Sequence, residues 1–388
     1  MSYLFGHFQY QNRKLGSVEN LAFSDVEIKD SSGNLMGIVL TDINGNFTFP
    51  INVPPSGINI RCTVYTKNDY ATVLQGGFDI PYFANTDWIS IQPGESKTIT
   101  WVFPDDPYNP VFTVFSYHTG LNRGWYYLNG TTVGAFPNAT ARYPYWWRPQ
   151  YDDTKREIWL TEYTYNYPDE ILHEYSHYEM HAAFGWRMPP DYIGNYTIKN
   201  VSNQPTALTE GWAYFFPLAV KNNGAYMEWG SGGIPYSIDF ESPHWCSPDW
   251  DDGDAVVGRV TGALWDIYDA YNDSYDTFTD GFNNIWNVIN TAYFETFYHF
   301  WDIWNGSGYP KQPALMAIFQ NSIDYRGPGD VNADGDVDGR DIAEITSRYG
   351  SWKGQPSFAQ WADLNYDDKI CGRDLALASS NYGKHYDC

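Results

Sequence analysis

The sequence predicts a multidomain chain: an all-β part at the N-terminus, an α+β, mostly helical part in the middle, and a small helical module with acidic loops at the end. Three observations carry this reading. Up to about residue 104, short runs alternate apolar and polar residues between turn signals, the period-2 pattern of strands. From Pro168 onward, apolar and aromatic residues recur at helical spacing around the pentad His173-Glu174-Tyr175-Ser176-His177. After residue 327, one order of acidic residues is written twice. The boundaries expected are 1–104, 105–326 and 327–388.

In the first part, Val26 to Asp30 alternates, Ser31-Ser32-Gly33-Asn34 turns, and Gly37 to Leu40 leads into Thr41-Asp42-Ile43-Asn44-Gly45-Asn46-Phe47. Asn44-Gly45 between alternating apolar residues is a hairpin signal. The stretch resembles the carboxypeptidase regulatory-like or transthyretin-like β-sandwich, whose repeats carry a similar TDxxGxF turn. That resemblance implies a module that positions or connects, without catalysis of its own.

In the middle part, Val111 to Tyr117 and Glu157 to Thr161 read as strands. A helix follows from Pro168. Proline suits a first turn, Asp169 and Glu170 suit the positive end of the helix dipole, and Gly185 supplies a stop. On such a helix His173 and His177 lie on one face, spaced to hold one metal ion. Glu174 between them is placed to take a proton from water at the metal. Two core histidines spaced by chance are the alternative.

A zinc hydrolase also needs a third protein ligand. Glu210 is embedded in an apolar helical run (Ala207, Leu208, Trp212, Ala213, Phe215, Phe216), and a buried carboxylate must be paired or hold a metal. Gly211 and Ala213 leave little side chain between this helix and a neighbour. A buried glutamate bonded to a tyrosine is the other reading. Together the two segments resemble the gluzincin type of metallopeptidase, in which HExxH gives two histidines and a glutamate on a later helix gives the third ligand. The resemblance also implies that a strand near Glu157 to Thr161 pairs with an extended substrate. Gluzincins carry ExxxD on the later helix, and here the fourth position after Glu210 is Tyr214. Asp266, an acid inside an apolar helical pattern, is the candidate for the missing orienting partner, or it faces solvent. His244 and Tyr236 are candidate donors to an oxyanion, and an ordinary loop residue is the competing reading for each.

The duplicated stretch reads Asp330-x-Asn332-x-Asp334-Gly335-Asp336-x-Asp338-x-x-Asp341 and Asp363-x-Asn365-x-Asp367-Asp368-Lys369-x-Cys371-x-x-Asp374. Oxygen ligands at loop positions 1, 3, 5 and 12, with a backbone carbonyl at 7 (Asp336, Lys369), describe calcium loops of the EF-hand kind. Each leads into one helix, and the pair resembles a type I dockerin, which implies two calcium ions and a cohesin partner. The second loop departs at position 6, where Asp368 replaces glycine, and at position 9, where Cys371 replaces an oxygen ligand. Tyr325 to Gly329 is a short joint without the long linker usual in dockerin-bearing enzymes, which implies a module packed against its neighbour.

Composition narrows the partners. Asp and Glu number 47 against 23 Lys and Arg, which argues against nucleic acid and anionic membranes. No stretch is long and apolar enough to span a membrane. The first residues lack a basic start followed by an apolar run, so no signal peptide is read in this numbering. Extracellular location is expected instead from glycosylation triplets at Asn46, Asn129, Asn138, Asn195, Asn200, Asn272 and Asn305. The four cysteines lack metal-type spacing. Cys371 and Cys388 are expected to pair within the C-terminal module; Cys62 with Cys246 stands beside free buried thiols.

The sequence thus points to a secreted zinc metallopeptidase holding one zinc through His173, His177 and Glu210 and two calcium ions, acting on a peptide or protein substrate. A reading from another class is an extracellular self-assembling structural protein, a filament or surface layer, on a metallopeptidase-like scaffold. A third is an enzyme docked on a cohesin.

Overall fold

The computed structural model describes residues 2–12, 16–104, 111–131, 136–145, 148–161, 168–190, 196–229, 235–241, 249–271 and 275–386. It is multidomain, with sheets and nine helices among the described residues. The chain divides into two compact units, 1–182 with 227–237, and 183–226 with 238–388.

The first unit begins with ten strands: β1 (Ser2–Asn12), β2 (Ser17–Asn20), β3 (Asp25–Asp30), β4 (Leu35–Leu40), β5 (Asn46–Ile51), β6 (Ile58–Tyr65), β7 (Ala71–Gln75), β8 (Phe83–Asn85), β9 (Ile89–Ile91) and β10 (Lys97–Phe103). One sheet runs β10-β1-β2 with β5 also on β1, and another runs β4-β3-β6-β8 with β9 on β6. Burial alternates along β1, as the period of a strand with one covered face requires. Leu4 and Phe8 of β1, Phe47 of β5, Val26 and Ile28 of β3, Ile60, Cys62 and Val64 of β6 and Phe103 of β10 form one apolar cluster.

The Asn44-Gly45 turn forms, but it does not close a hairpin. Gly45 takes a φ of 77°, and the Asp42 carboxylate accepts the N–H groups of Asn44 and Asn46, each at 2.8 Å. The strands it joins then part, β4 pairing with β3 and β5 with β1. Gly45 sits against the carbonyl of Phe8, so the turn is held to β1 and feeds β5 into that sheet.

The expected strand at Val111 to Tyr117 is instead the start of helix α1 (Val111–Thr131). Its aromatic and β-branched residues suit a strand, but the buried positions Val114, His118, Leu121 and Asn122 recur at helical spacing, and burial decides. Gly120 and Gly124 face the next helix, α2 (Pro168–Ala183). A Cβ at Gly124 would stand 2.7 Å from the Tyr175 ring and one at Gly120 3.1 Å from Ile171. Between these helices lie β11 (Ala139–Tyr143), β12 (Gln150–Asp152) and β13 (Glu157–Trp159), in a sheet ordered β12-β13-β11-β7. β13 pairs on both sides, with β11 and β12, so the strand expected to receive substrate has no open edge. A two-stranded sheet, β14 (Ala225–Trp229) with β15 (Pro235–Asp239), follows later in the chain.

The second unit is helical: α3 (Gln204–Lys221), α4 (Val257–Tyr268), α5 (Phe282–Ile289), α6 (Phe297–Gly306), α7 (Lys311–Gln320), α8 (Gly339–Ser347) and α9 (Gly372–Asn381). Asn203 caps α3 by accepting the N–H of Thr206 at 2.7 Å, and Asn222 ends it with a φ of 51°. Trp212, Phe215, Phe216, Phe282 and Trp286 pack ring against ring in this unit, with Phe282 and Trp286 stacked at 6.2 Å between centroids. Part of the high aromatic content is therefore core.

The joint before α8 is packed. Arg326 is buried and donates to Asp324, to the Val331 carbonyl at 3.0 Å and to the Trp361 carbonyl at 3.1 Å, while its guanidinium lies over the Phe319 ring at 3.9 Å. Tyr366 donates to Asp324, and Gln312 of α7 donates to the Asn332 carbonyl at 2.9 Å. Burial pushes the Asp324 carboxyl up, and the Arg326 charge together with the hydrogen bonds from Arg326 and Tyr366 outweighs it, leaving the group below its usual range.

Candidate metal centre

Helix α2 forms where the sequence indicates. Asp169, at its first turn, is buried and accepts the N–H of Met227 at 2.8 Å, which ties the helix start to β14. Tyr178 donates to the Asn138 carbonyl at 2.9 Å, and Tyr151 and His181 share a hydrogen bond of 2.7 Å. These contacts fix the rotation of α2 about its axis. His173 and His177 are buried, their rings 4.9 Å apart between centroids and crossed at 85°. Glu174 is half-buried between them in sequence.

Helix α3 carries Glu210 in its buried stretch. The small residue beside it admits α4: a Cβ at Gly211 would stand 2.7 Å from Val260, and Thr261 donates to the Gly211 carbonyl at 3.2 Å. Tyr196 donates its phenol to Oε2 of Glu210 at 2.7 Å. Burial, and then the Glu210 charge, raise the Tyr196 hydroxyl well above its usual pKa. One ligand atom from each of His173, His177 and Glu210 lies within 4.8 Å of the others, a group able to hold a metal ion. The tyrosine-bonded reading of Glu210 is thus met, in a carboxylate whose position beside the two histidines is also that of a possible metal ligand.

The remaining expectations divide. Asp266 is buried rather than solvent-facing, because it accepts from Asn321 Nδ2 at 2.7 Å inside the helical unit. Tyr236 lies on β15 and donates to Glu228 at 2.9 Å; burial and that bond push its hydroxyl up to about 12. His244, Cys246, Cys388, Asn195 and Asn272 lie outside the described residues. Cys62 is a free, buried thiol in the β-sheet core. Cys371 is also a free thiol: its Sγ accepts the N–H of Arg373 at 3.5 Å as the cap of α9, and the partner expected for it, Cys388, is outside the described residues. Asn46, Asn138 and Asn200 are exposed, while Asn129 and Asn305 are half-buried on α1 and α6. Sequence spacing missed Tyr196. The alternative reading of Glu210 named a tyrosine partner without a position, and nothing local marks which one.

In the C-terminal module the two loops share their hydrogen bonds. Asp330 accepts from Asp334 N and Gly335 N, and Asp363 from Asp367 N and Asp368 N. Asp341 accepts from Val331 N and Asp338 N, and Asp374 from Leu364 N and Cys371 N. Asn332 and Asn365 each bond the aspartate two residues on, at 3.1 Å. Burial pushes Asp330 and Asp363 up to about 6, as charge gathered in a covered loop must. Asp338 caps α8, and Asp336 and Lys369 sit at isolated β-bridges with His385 and Trp352.

Comparison with known proteins finds two family matches. Residues 135–322 match the Mycolysin C-terminal domain, and residues 328–379 match the Dockerin type I domain. A type I dockerin domain is therefore present. The first match contains His173, Glu174, His177 and Glu210, and the second contains both loops. No curated protein matches the chain. Among solved structures, Klebsiella pneumoniae 5-hydroxyisourate hydrolase is 15% identical, over 27% of this chain and 92% of its own, with a TM-score of 0.19. A 9R-lipoxygenase from Cyanothece PCC8801 is 14% identical, over 31% of this chain and 22% of its own, with a TM-score of 0.16.

Proposed function

We propose that this chain is a secreted zinc metallopeptidase that hydrolyses peptide bonds, with His173, His177 and Glu210 as the protein ligands. The observation that carries the reading is the convergence of two imidazoles and one carboxylate within 4.8 Å, the donor set of zinc hydrolases with one position left open. The Mycolysin C-terminal domain match over the same residues supports it, pointing to a metallopeptidase-related protein. Bound zinc would supply Lewis acidity, polarising a carbonyl and lowering the pKa of water. The chain's own residues do the rest. His173 and His177 present neutral nitrogens from consecutive turns, Glu210 offsets the charge of a dication, and Glu174 takes a proton and hands it to the leaving amine. We assign the two N-terminal sheets around their shared core to the β-sandwich that the sequence resembles, with a connecting role. The dockerin domain implies calcium binding, and we assign one ion to each loop, at Asp330, Asn332, Asp334, Asp336, Asp338 and Asp341, and at Asp363, Asn365, Asp367, Lys369 and Asp374.

Dockerin domains bind cohesins, and that match favours a second reading, the same enzyme docked on a cohesin. Dockerin-containing proteins are typically extracellular, and among the described residues no helix is long and apolar enough to cross a membrane.

Metal analysis of the purified chain is the first test. About one zinc and about two calcium per chain are expected. Calcium without zinc, even after zinc is supplied, sinks the peptidase reading. Glu174→Gln should keep its zinc and lose casein cleavage by at least about 100-fold. Unchanged cleavage would reject the role given to Glu174.

A further inference from the structure

Tyr196 and Glu210 meet through two independent attachments to the same helix. Glu210 rides on α3, which is seated on α4 where Gly211 admits Val260 and Thr261 reaches the Gly211 carbonyl. Tyr196 opens a segment pinned to the residues leading into α4. Gly258 N donates to the Ile198 carbonyl at 2.9 Å, Asp251 N to the Lys199 carbonyl at 2.8 Å, and Ser202 N to the Ala255 carbonyl at 2.8 Å. Val201 bridges to Val256, and Gly258 lacks the Cβ that would meet Ile198 at 2.8 Å. Thr197 closes the segment on itself by donating to Asn200 at 2.7 Å. The 2.7 Å bond from the Tyr196 phenol to Glu210 is thus set by backbone pairing and helix packing.

From this geometry we infer that Tyr196 is a positioning residue for the metal site, holding Glu210 by one oxygen so that the carboxylate meets the cation through the other. The inference rests on the zinc reading above. A glutamate side chain has three rotatable bonds, and a ligand that must find its rotamer on binding loses affinity to that search. A phenol fixed from a second element removes the search beforehand. Hydrogen bonds to ligating groups are worth about 10–100-fold in metal affinity. The competing role is satisfaction of a buried acid, which would stabilise the fold and leave metal affinity alone.

The experiment is zinc affinity of the full chain, titrated against a chromogenic chelator, with the thermal midpoint of the zinc-free protein recorded alongside. Tyr196→Phe keeps the ring and should bind zinc about tenfold more weakly, with the zinc-free midpoint near that of the parent. In a Glu210→Ala background the same substitution should cost no further affinity, since the carboxylate it positions is gone. Unchanged affinity overturns the inference. So does a loss of equal size in both backgrounds, or a Tyr196→Phe chain that fails to fold, since each assigns the phenol another role. If His173→Ala and Glu210→Ala also bind zinc as the parent does, the zinc reading itself fails, and this inference with it. If those two lose zinc while Tyr196→Phe does not, only the inference falls.

Discussion

The loops at 330–341 and 363–374 keep most of their hydrogen bonds in common although positions 6 and 9 differ, and the difference shows which positions specify a loop. Positions 1, 3, 5 and 12 are Asp, Asn, Asp and Asp in both; positions 1, 3 and 12 accept backbone N–H groups alike, while at position 5 Asp334 accepts Asp336 N and Asp367 Oδ1 has no hydrogen-bond partner among the described residues. Position 6 is Gly335 in one and Asp368 in the other, yet both take a left-handed φ, 88° and 61°. Position 9 is Asp338 or Cys371, yet each caps its helix. The loop path follows from the shared residues at positions 1, 3 and 12, and positions 6 and 9 set what the path costs.

Breaking the comparison at a shared position should give the largest effect. Asp330→Ala and Asp363→Ala should each remove one calcium from the chain, read by metal analysis, and each takes the carboxylate partner from one N–H, Gly335 or Asp368, at about 1–3 kcal/mol, while Asp334 N and Asp367 N keep Asn332 and Asn365. Retention of two ions in either variant would refute the ligand assignment. Sharpening it at position 9 comes next: Cys371→Asp restores an oxygen at the cap and should stabilise α9 by about 1 kcal/mol, while tightening calcium in the second loop by titration calorimetry. At position 6, Asp368→Gly should relieve the left-handed backbone by just under about 1 kcal/mol, raising the thermal midpoint in saturating calcium; its ion pair with Lys353 is exposed and offsets little. Smallest should be Arg340→Ala against Arg373→Ala. Each arginine reaches the position-5 aspartate, at 3.3 and 3.1 Å, from a mostly exposed side chain, so each loss should stay within about 0.5 kcal/mol in the same melt.

What could be read in advance was what is local. The HExxH helix and the duplicated loops show themselves through spacing within one element. The run from Val111 to Tyr117 did not, because residues that favour strands were packed as a helix by Gly120, Gly124 and the core behind them. The Asn44-Gly45 turn was legible as a turn, while the departure of β5 to β1 rests on the bond of Gly45 to Phe8, far away in sequence. Tyr196 lies at the same limit: its partner is chosen by three backbone bonds, two to the segment before α4 and one to its first turn. The cap that the Cys371 sulfur makes for α9 had no sequence signal, since position 9 of such a loop normally offers oxygen.

The clamp of Arg326 on Asp324, Val331 and Trp361 makes a bracket of what elsewhere is a leash. A leash lets its cargo sweep a volume and raises the local concentration of every target inside it. A bracket gives up that sweep. Whatever grips the last module would hold the preceding helices at a set heading, so reach is exchanged for aim, and a target approaching from any other side would gain nothing from the anchorage.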